Sequence, residues 1–165
     1  MAAAPSSFAP LPAFTHTLHP GDVACGERGD TLETLLGSCV AIVLTDPRRT
    51  LGAMCHVVHS SQAPASALNS TAYAEPALSA MYRLLQGRGI VPSLCEAYVY
   101  GGGNMFPDLV GDRHVGSSNA RWALNALARD RIRVIHHDLG GCGYRRVSWT
   151  IGPGAPVVRT VPVQS

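Results

Sequence analysis

Leu36-Gly37-Ser38-Cys39-Val40-Ala41-Ile42-Val43-Leu44, followed by Thr45-Asp46-Pro47-Arg48-Arg49-Thr50 and then Leu51-Gly52-Ala53-Met54-Cys55-His56-Val57-Val58, decides the reading of the chain. Two apolar, β-rich runs flank a polar segment, which is the pattern of a β-hairpin. Asp46 followed by Pro47 favours a type I turn, and a four-residue loop pairing Thr45 with Thr50 is predicted. That register sets Cys39 directly across from His56, with β-carbons about 4.5–5.5 Å apart. Cys55 then pairs with Val40 on the opposite face and is assigned a packing role, because side chains alternate along a strand.

Uninterrupted apolar runs such as Val40–Leu44 suit strands covered on both faces, which a layered α/β fold provides. Upstream, Thr15–Ala24 reads as an early strand with a turn at Pro20-Gly21-Asp22, ahead of a polar loop over Gly26–Asp30. Downstream, Ser60–Thr71 reads as a loop. Leu78, Met81, Leu84 and Leu85 predict a helix over Tyr73–Arg88 with Pro76 in its first turn. A strand over Leu94–Tyr100 runs into Gly101-Gly102-Gly103-Asn104-Met105-Phe106. A second helix is predicted from about Ser118 to Asp130, capped by Ser117, Ser118 or Asn119. Strands over Arg133–His137, Arg146–Ile151 and Val157–Val161 complete the pattern, separated by glycine-rich turns.

The 165 residues suffice for one domain with a real core. Residues 1–13, rich in Ala, Pro and Ser, are expected to form a flexible tail ahead of a single domain over 14–165. They lack the basic start and apolar centre of a signal peptide. No apolar stretch is long enough to span a bilayer, so a cytoplasmic location without membrane insertion is expected. All thirteen basic residues are Arg, which excludes Schiff-base or other lysine nucleophile chemistry. With a net charge of +2 and no dense basic run, nucleic acid is a poor candidate partner. Five cysteines without a CxxC pair argue against a disulfide framework or a zinc ribbon. Cys55 and His56 point apart in a strand, as do His136 and His137, so no metal is expected. The glycine run lacks a phosphate-binding pattern, and it reads instead as a tight loop where backbone approaches a substrate or another strand. No cofactor is implied.

A facing imidazole supplies the base that a neutral thiol needs, and it can return the proton to a departing amine. Gly37-Ser38 before Cys39 suggests a turn that exposes the thiol and frees backbone N–H groups near it for an oxyanion. The other reading of the pair is a small buried thiol beside a core histidine.

Several of these pieces resemble the CheD family of bacterial chemoreceptor glutamine deamidases. They are Pro20-Gly21-Asp22-Val23, Thr34-Leu35-Leu36-Gly37-Ser38-Cys39-Val40-Ala41, Gly52-Ala53-Met54-Cys55-His56-Val57, Gly101–Phe106, Gly116 with Asn119, and Asp138-Leu139-Gly140-Gly141 followed by Arg145 and Val147. The resemblance covers about residues 18–161 and implies a single-domain layered sandwich of mixed β-sheets flanked by helices, similar to the toxin deamidases. It implies hydrolysis of glutamine side chains on methyl-accepting chemotaxis receptors, with Cys39 as nucleophile and His56 as general base and acid. Ser38, Gly102 and Asn104 are the expected substrate-binding positions. The family's third catalytic member is a Thr six residues before the nucleophile, where this chain has Glu33, with Thr34 one place later. A one-residue slip reverses the strand face, so only one of Glu33 and Thr34 can serve. Three further expectations follow from the resemblance: a CheC-type phosphatase as a second partner, a non-catalytic adaptor role as the alternative to an enzyme, and methyl-esterase action through the same thiol.

Overall fold

The computed structural model describes residues 13–111 and 113–162. Apart from Ala13, the expected tail lies outside the described residues. In chain order the elements are β1 (Thr15–Leu18), β2 (Val23–Glu27), β3 (Thr31–Leu36), β4 (Val40–Thr45), β5 (Leu51–Val57), α1 (Ala74–Gln86), β6 (Glu96–Gly101), α2 (Val115–Arg129), β7 (Arg133–Leu139), β8 (Gly143–Thr150) and β9 (Val157–Pro162). They form two mixed sheets, one ordered β1-β3-β8-β9 and the other β2-β5-β4-β6-β7.

Alternation along the strands builds the layers. Val40, Ile42, Leu44, Ala53, Cys55 and Val57 turn to one face of the five-stranded sheet and bury against Leu78, Met81 and Leu85 of α1 and Ala123 and Leu127 of α2. Ala41, Val43, Met54, Tyr98 and Tyr100 turn to the other face and pack on Leu32, Leu36, Val147 and Trp149 of the four-stranded sheet. The architecture is therefore helices on sheet on sheet. β4, at the centre of the larger sheet, is fully buried along its length, as its continuous apolar run requires.

Three expectations are corrected. The β4–β5 hairpin pairs Thr45 with Gly52 and Ala41 with His56, two residues away from the predicted register. The Asp46–Arg49 turn forms, with Arg49 N donating to the Asp46 carbonyl, but the Asp46 carboxylate extends the loop by accepting from Thr50 N, Thr50 Oγ1 and Leu51 N. Arg49 sits in the left-handed region at φ 58°. A two-residue shift preserves parity, so every side chain keeps its predicted face, and Cys55, now opposite Ile42, still faces the helices. The expected strand over Thr15–Ala24 is instead two strands in different sheets, with β3 following them. Helix α2 starts at Val115, three residues early, because His114 caps it: the imidazole accepts from Ser117 N while His114 N donates to Ser117 Oγ.

Gly52 of one sheet lies directly against Trp149 of the other. A β-carbon there would lie 2.3 Å from an atom of the Trp149 ring, which is completely buried. Gly52→Ala is expected to lower unfolding free energy by about 1–3 kcal/mol through overpacking. Urea denaturation checks this, and an unchanged midpoint would mean that the Trp149 ring can give way.

Candidate active site

β3 and β5 belong to different sheets, and the site forms where their facing surfaces meet. Thr34 alternates inward between Leu32 and Leu36, while Glu33 turns to the outer face and accepts a hydrogen bond from Thr17 Oγ1. His56 projects from β5 into the same layer and is 2% exposed. Thr34 Oγ1 lies 2.7 Å from His56 Nδ1 and 2.8 Å from the Leu18 carbonyl. A carbonyl can only accept, so the single hydroxyl hydrogen goes to Leu18 and the hydroxyl oxygen accepts from Nδ1–H. This assigns the tautomer by hydrogen-bond count and leaves Nε2 with its lone pair free.

The Pro20-Gly21-Asp22 turn walls in this histidine. Gly21 N donates to the His56 carbonyl, and His56 N donates to the Asp22 carbonyl, at 2.9 and 3.0 Å. Burial holds the imidazole down to about 4, against a weaker upward pull from the Asp22 carboxylate. At neutral pH it is an uncharged base.

Cys39 is half-buried, sits one residue ahead of β4, and packs against the layer between the sheets. With Ala41 opposite His56, Cys39 is a diagonal neighbour of the histidine, at a spacing of about 7–8 Å between backbones that side chains can bridge. Desolvation raises its thiol above the ordinary value, opposed by its own backbone N–H. Cys39 and His56 are thus neutral thiol and neutral imidazole at rest.

The glycine run holds the thiol loop. Gly102 N donates to the Cys39 carbonyl and Gly103 N to the Gly37 carbonyl. Gly101 adopts φ +114°, and a β-carbon there would lie 2.2 Å from the Cys39 carbonyl oxygen. Only glycine permits this approach. Gly102 is buried, whereas Ser38 and Asn104 line a cavity of about 250 Å³ with Met105, Phe106 and Val110. The Asn104 side chain is engaged within its own loop, donating to the Val110 carbonyl and accepting from Phe106 N. A larger groove of about 630 Å³, between residues 60–69 and the two helices, is lined by none of Cys39, His56 and Thr34.

One functional candidate escapes the sequence reading. Asn119, which the sequence offers as a possible helix cap and as one piece of the family resemblance but with no role at the site, is buried in the first half of α2 and reaches the Ser38 and Val58 carbonyls. Its signal in the sequence is a polar residue four and eight places before Ala123 and Leu127, on the buried stripe of the helix.

Comparison with known proteins bears on what this site belongs to. The model of the family described as CheD chemotactic sensory transduction matches residues 58–160. A protein of Pseudomonas syringae pv. syringae named "Probable chemoreceptor glutamine deamidase CheD" is 33% identical over 151 residues, covering 90% of this chain and 85% of its own. The chain belongs to the CheD family. A Pseudomonas fluorescens relative of the same name is 35% identical over 88% of this chain and 84% of its own. One from the archaeon Methanococcus vannielii is 30% identical over 84% and 90%. The family model begins just past His56, but an alignment over 90% of the chain has to span both Cys39 and His56. Among the described residues, no helix is long and apolar enough to cross a membrane.

Keeping His56 neutral gives folding a defined pH dependence. The unfolded imidazole takes up its proton near pH 6.5, the folded one only at about 4, so protons favour the unfolded chain. The stabilisation is complete above about pH 6.5 and is lost as pH falls from there toward 4, by on the order of 3 kcal/mol. His56→Gln is expected to flatten the stability profile in that window in urea titrations. An equally steep profile in the variant would assign the dependence to other groups.

Proposed function

We propose that this CheD protein hydrolyses glutamine side chains of methyl-accepting chemotaxis receptors to glutamate, through Cys39 and His56. The observation that carries the reading is the Thr34–His56 hydrogen bond, whose direction leaves Nε2 as a free base in the layer that Cys39 faces. The names of the relatives supply the substrate class.

In the reaction, His56 Nε2 removes the Cys39 proton as the sulfur attacks the carboxamide carbon, forming the C–S bond. The imidazolium, steadied through Nδ1–H by Thr34, protonates the departing nitrogen, and ammonia leaves as the tetrahedral intermediate collapses to a thioester. Water, deprotonated by the same imidazole, attacks the thioester carbon, and the thiolate leaves and recovers its proton. One water is consumed for each glutamate and ammonia formed. A neutral resting pair fits this order of events, since the proton moves during attack and not before it. Thr34 fills the third position. Glu33, on the outer face with Thr17, has no direct part in this mechanism. The cavity lined by Ser38, Asn104, Met105 and Phe106 is the entry for the substrate side chain, with Gly102 supporting the loop from beneath. A CheC-type phosphatase is the second partner that the family resemblance implies, and action on the cytoplasmic part of the receptors places the protein in the cytoplasm.

Receptor cytoplasmic fragment incubated with the protein is expected to gain about one dalton at defined glutamines. Cys39→Ala should abolish the gain, and His56→Ala should slow it by about 10²–10⁴-fold. Thr34→Val should cost less than His56→Ala, because it removes only the orienting partner. Equal mass gains with wild type and Cys39→Ala, or none with either, would refute the reading. Release of methanol from methylated receptor without any mass gain on glutamine peptides would replace it with esterase action.

A further inference from the structure

Three consecutive carbonyls of the thiol loop are held from behind. Those of Gly37 and Cys39 accept from Gly103 N and Gly102 N, at 3.0 and 2.9 Å. Between them, the Ser38 carbonyl accepts from a side chain, Nδ2 of Asn119, at 3.1 Å. That amide is 1% exposed and uses all of its polar hydrogens. Its second hydrogen goes to the Val58 carbonyl at 3.1 Å, and Oδ1 accepts from Ser60 N at 3.0 Å. A single side chain therefore ties the segment after His56 to the residue before Cys39.

Peptide geometry gives this tie a chemical consequence. In a trans peptide the C=O and N–H point in opposite directions, and the described residues contain no cis bond. The Ser38 carbonyl and the Cys39 N–H belong to one such unit. Drawing the carbonyl toward α2 turns the N–H to the far side, next to the Cys39 sulfur. Neither this N–H nor that of Ser38 donates to a backbone carbonyl among the described residues. Free amide donors beside an attacking sulfur are where the oxyanion of a tetrahedral intermediate is stabilised.

We infer that Asn119 is a positioning residue, which, by holding the Ser38 carbonyl, aims the Cys39 N–H at the oxyanion formed when Cys39 attacks a carboxamide. The inference rests on Cys39 being the nucleophile, as proposed above. It differs from a general packing role in a measurable way, because oxyanion stabilisation acts on the transition state of acyl transfer and not on the thiol itself.

Asn119→Asp and Asn119→Ala would be compared with wild type in three measurements: kcat and KM for receptor deamidation, the alkylation rate of Cys39 by iodoacetamide, and the melting transition. Alkylation develops no oxyanion and serves as the control. Aspartate lacks the amide hydrogens that the two carbonyls share, and alanine offers no donor at all. In each folded variant kcat is expected to fall by about 10²-fold or more while KM and the alkylation rate stay near wild type. Wild-type kcat in a folded variant would overturn the inference, as would a parallel fall in kcat and alkylation rate. Loss of the melting transition in both variants would assign Asn119 to the fold and overturn it too. Full kcat in a folded Asn119 variant beside an inactive Cys39→Ala would count against this inference alone. An active Cys39→Ala would instead remove the functional reading beneath it.

Discussion

A single hydrogen bond between the two sheets organises this protein. His56 stands on the five-stranded sheet, Thr34 on the four-stranded one, and the 2.7 Å contact between them exists only while the sheets are packed together. The apolar layer of Leu32, Leu36, Ala41, Val43, Met54, Tyr98, Tyr100, Val147 and Trp149 maintains that packing. It also removes the water that would otherwise compete for the threonine hydroxyl. Burial thus sets the geometry of the imidazole and, through the same desolvation, keeps it uncharged. Stability and chemistry draw on one layer, because a substitution that loosens the sheets also frees the histidine to rotate and to charge.

The hydroxyl fixes the direction of the chain of bonds. Had Leu18 offered a donor, Thr34 could have given its hydrogen to Nδ1, and Nε2 would have carried the proton. Because Leu18 presents a carbonyl, the threonine must accept from Nδ1–H. An acidic third member would hold the imidazole more strongly once it is protonated, as in serine proteases. A hydroxyl gives orientation with little electrostatic pull, which accords with a histidine that rests neutral inside an apolar layer.

Much of this was legible in the sequence, where one physical rule governed. The β4–β5 hairpin, the burial of Val40–Leu44 on both faces and the placement of Cys55 away from Cys39 all follow from alternation, and they survive a two-residue error in register because parity does. The register itself depended on the Asp46 side chain bonding to Thr50 and Leu51, a contact that turn preferences do not encode. β3 does not stand out in the sequence, because Thr31-Leu32-Glu33-Thr34-Leu35-Leu36 mixes helix-favouring Leu and Glu with threonine and has no strong β signature. Without β3, sequence could state that Glu33 and Thr34 face opposite ways but not which one faces inward. That choice is made by a parallel pairing with β1 and an antiparallel one with β8, more than a hundred residues away in the chain.

Glycine at 101, 102 and 116 and asparagine at 119 belong to one device for the same reason. A thiol loop ahead of a strand has no ladder to fix it, and its carbonyls need donors from elsewhere. The glycines let the loop after β6 and the start of α2 come close enough to supply backbone donors: a β-carbon at Gly116 would lie 2.4 Å from the Gly103 carbonyl oxygen. Where backbone does not reach, at Ser38, a side-chain amide from the next turn of α2 does. The loop at Cys39 is therefore held by the segment after β6 and by α2, while His56 is held from the opposite sheet, and the two side chains sit between supports that only the complete three-layer fold brings into register.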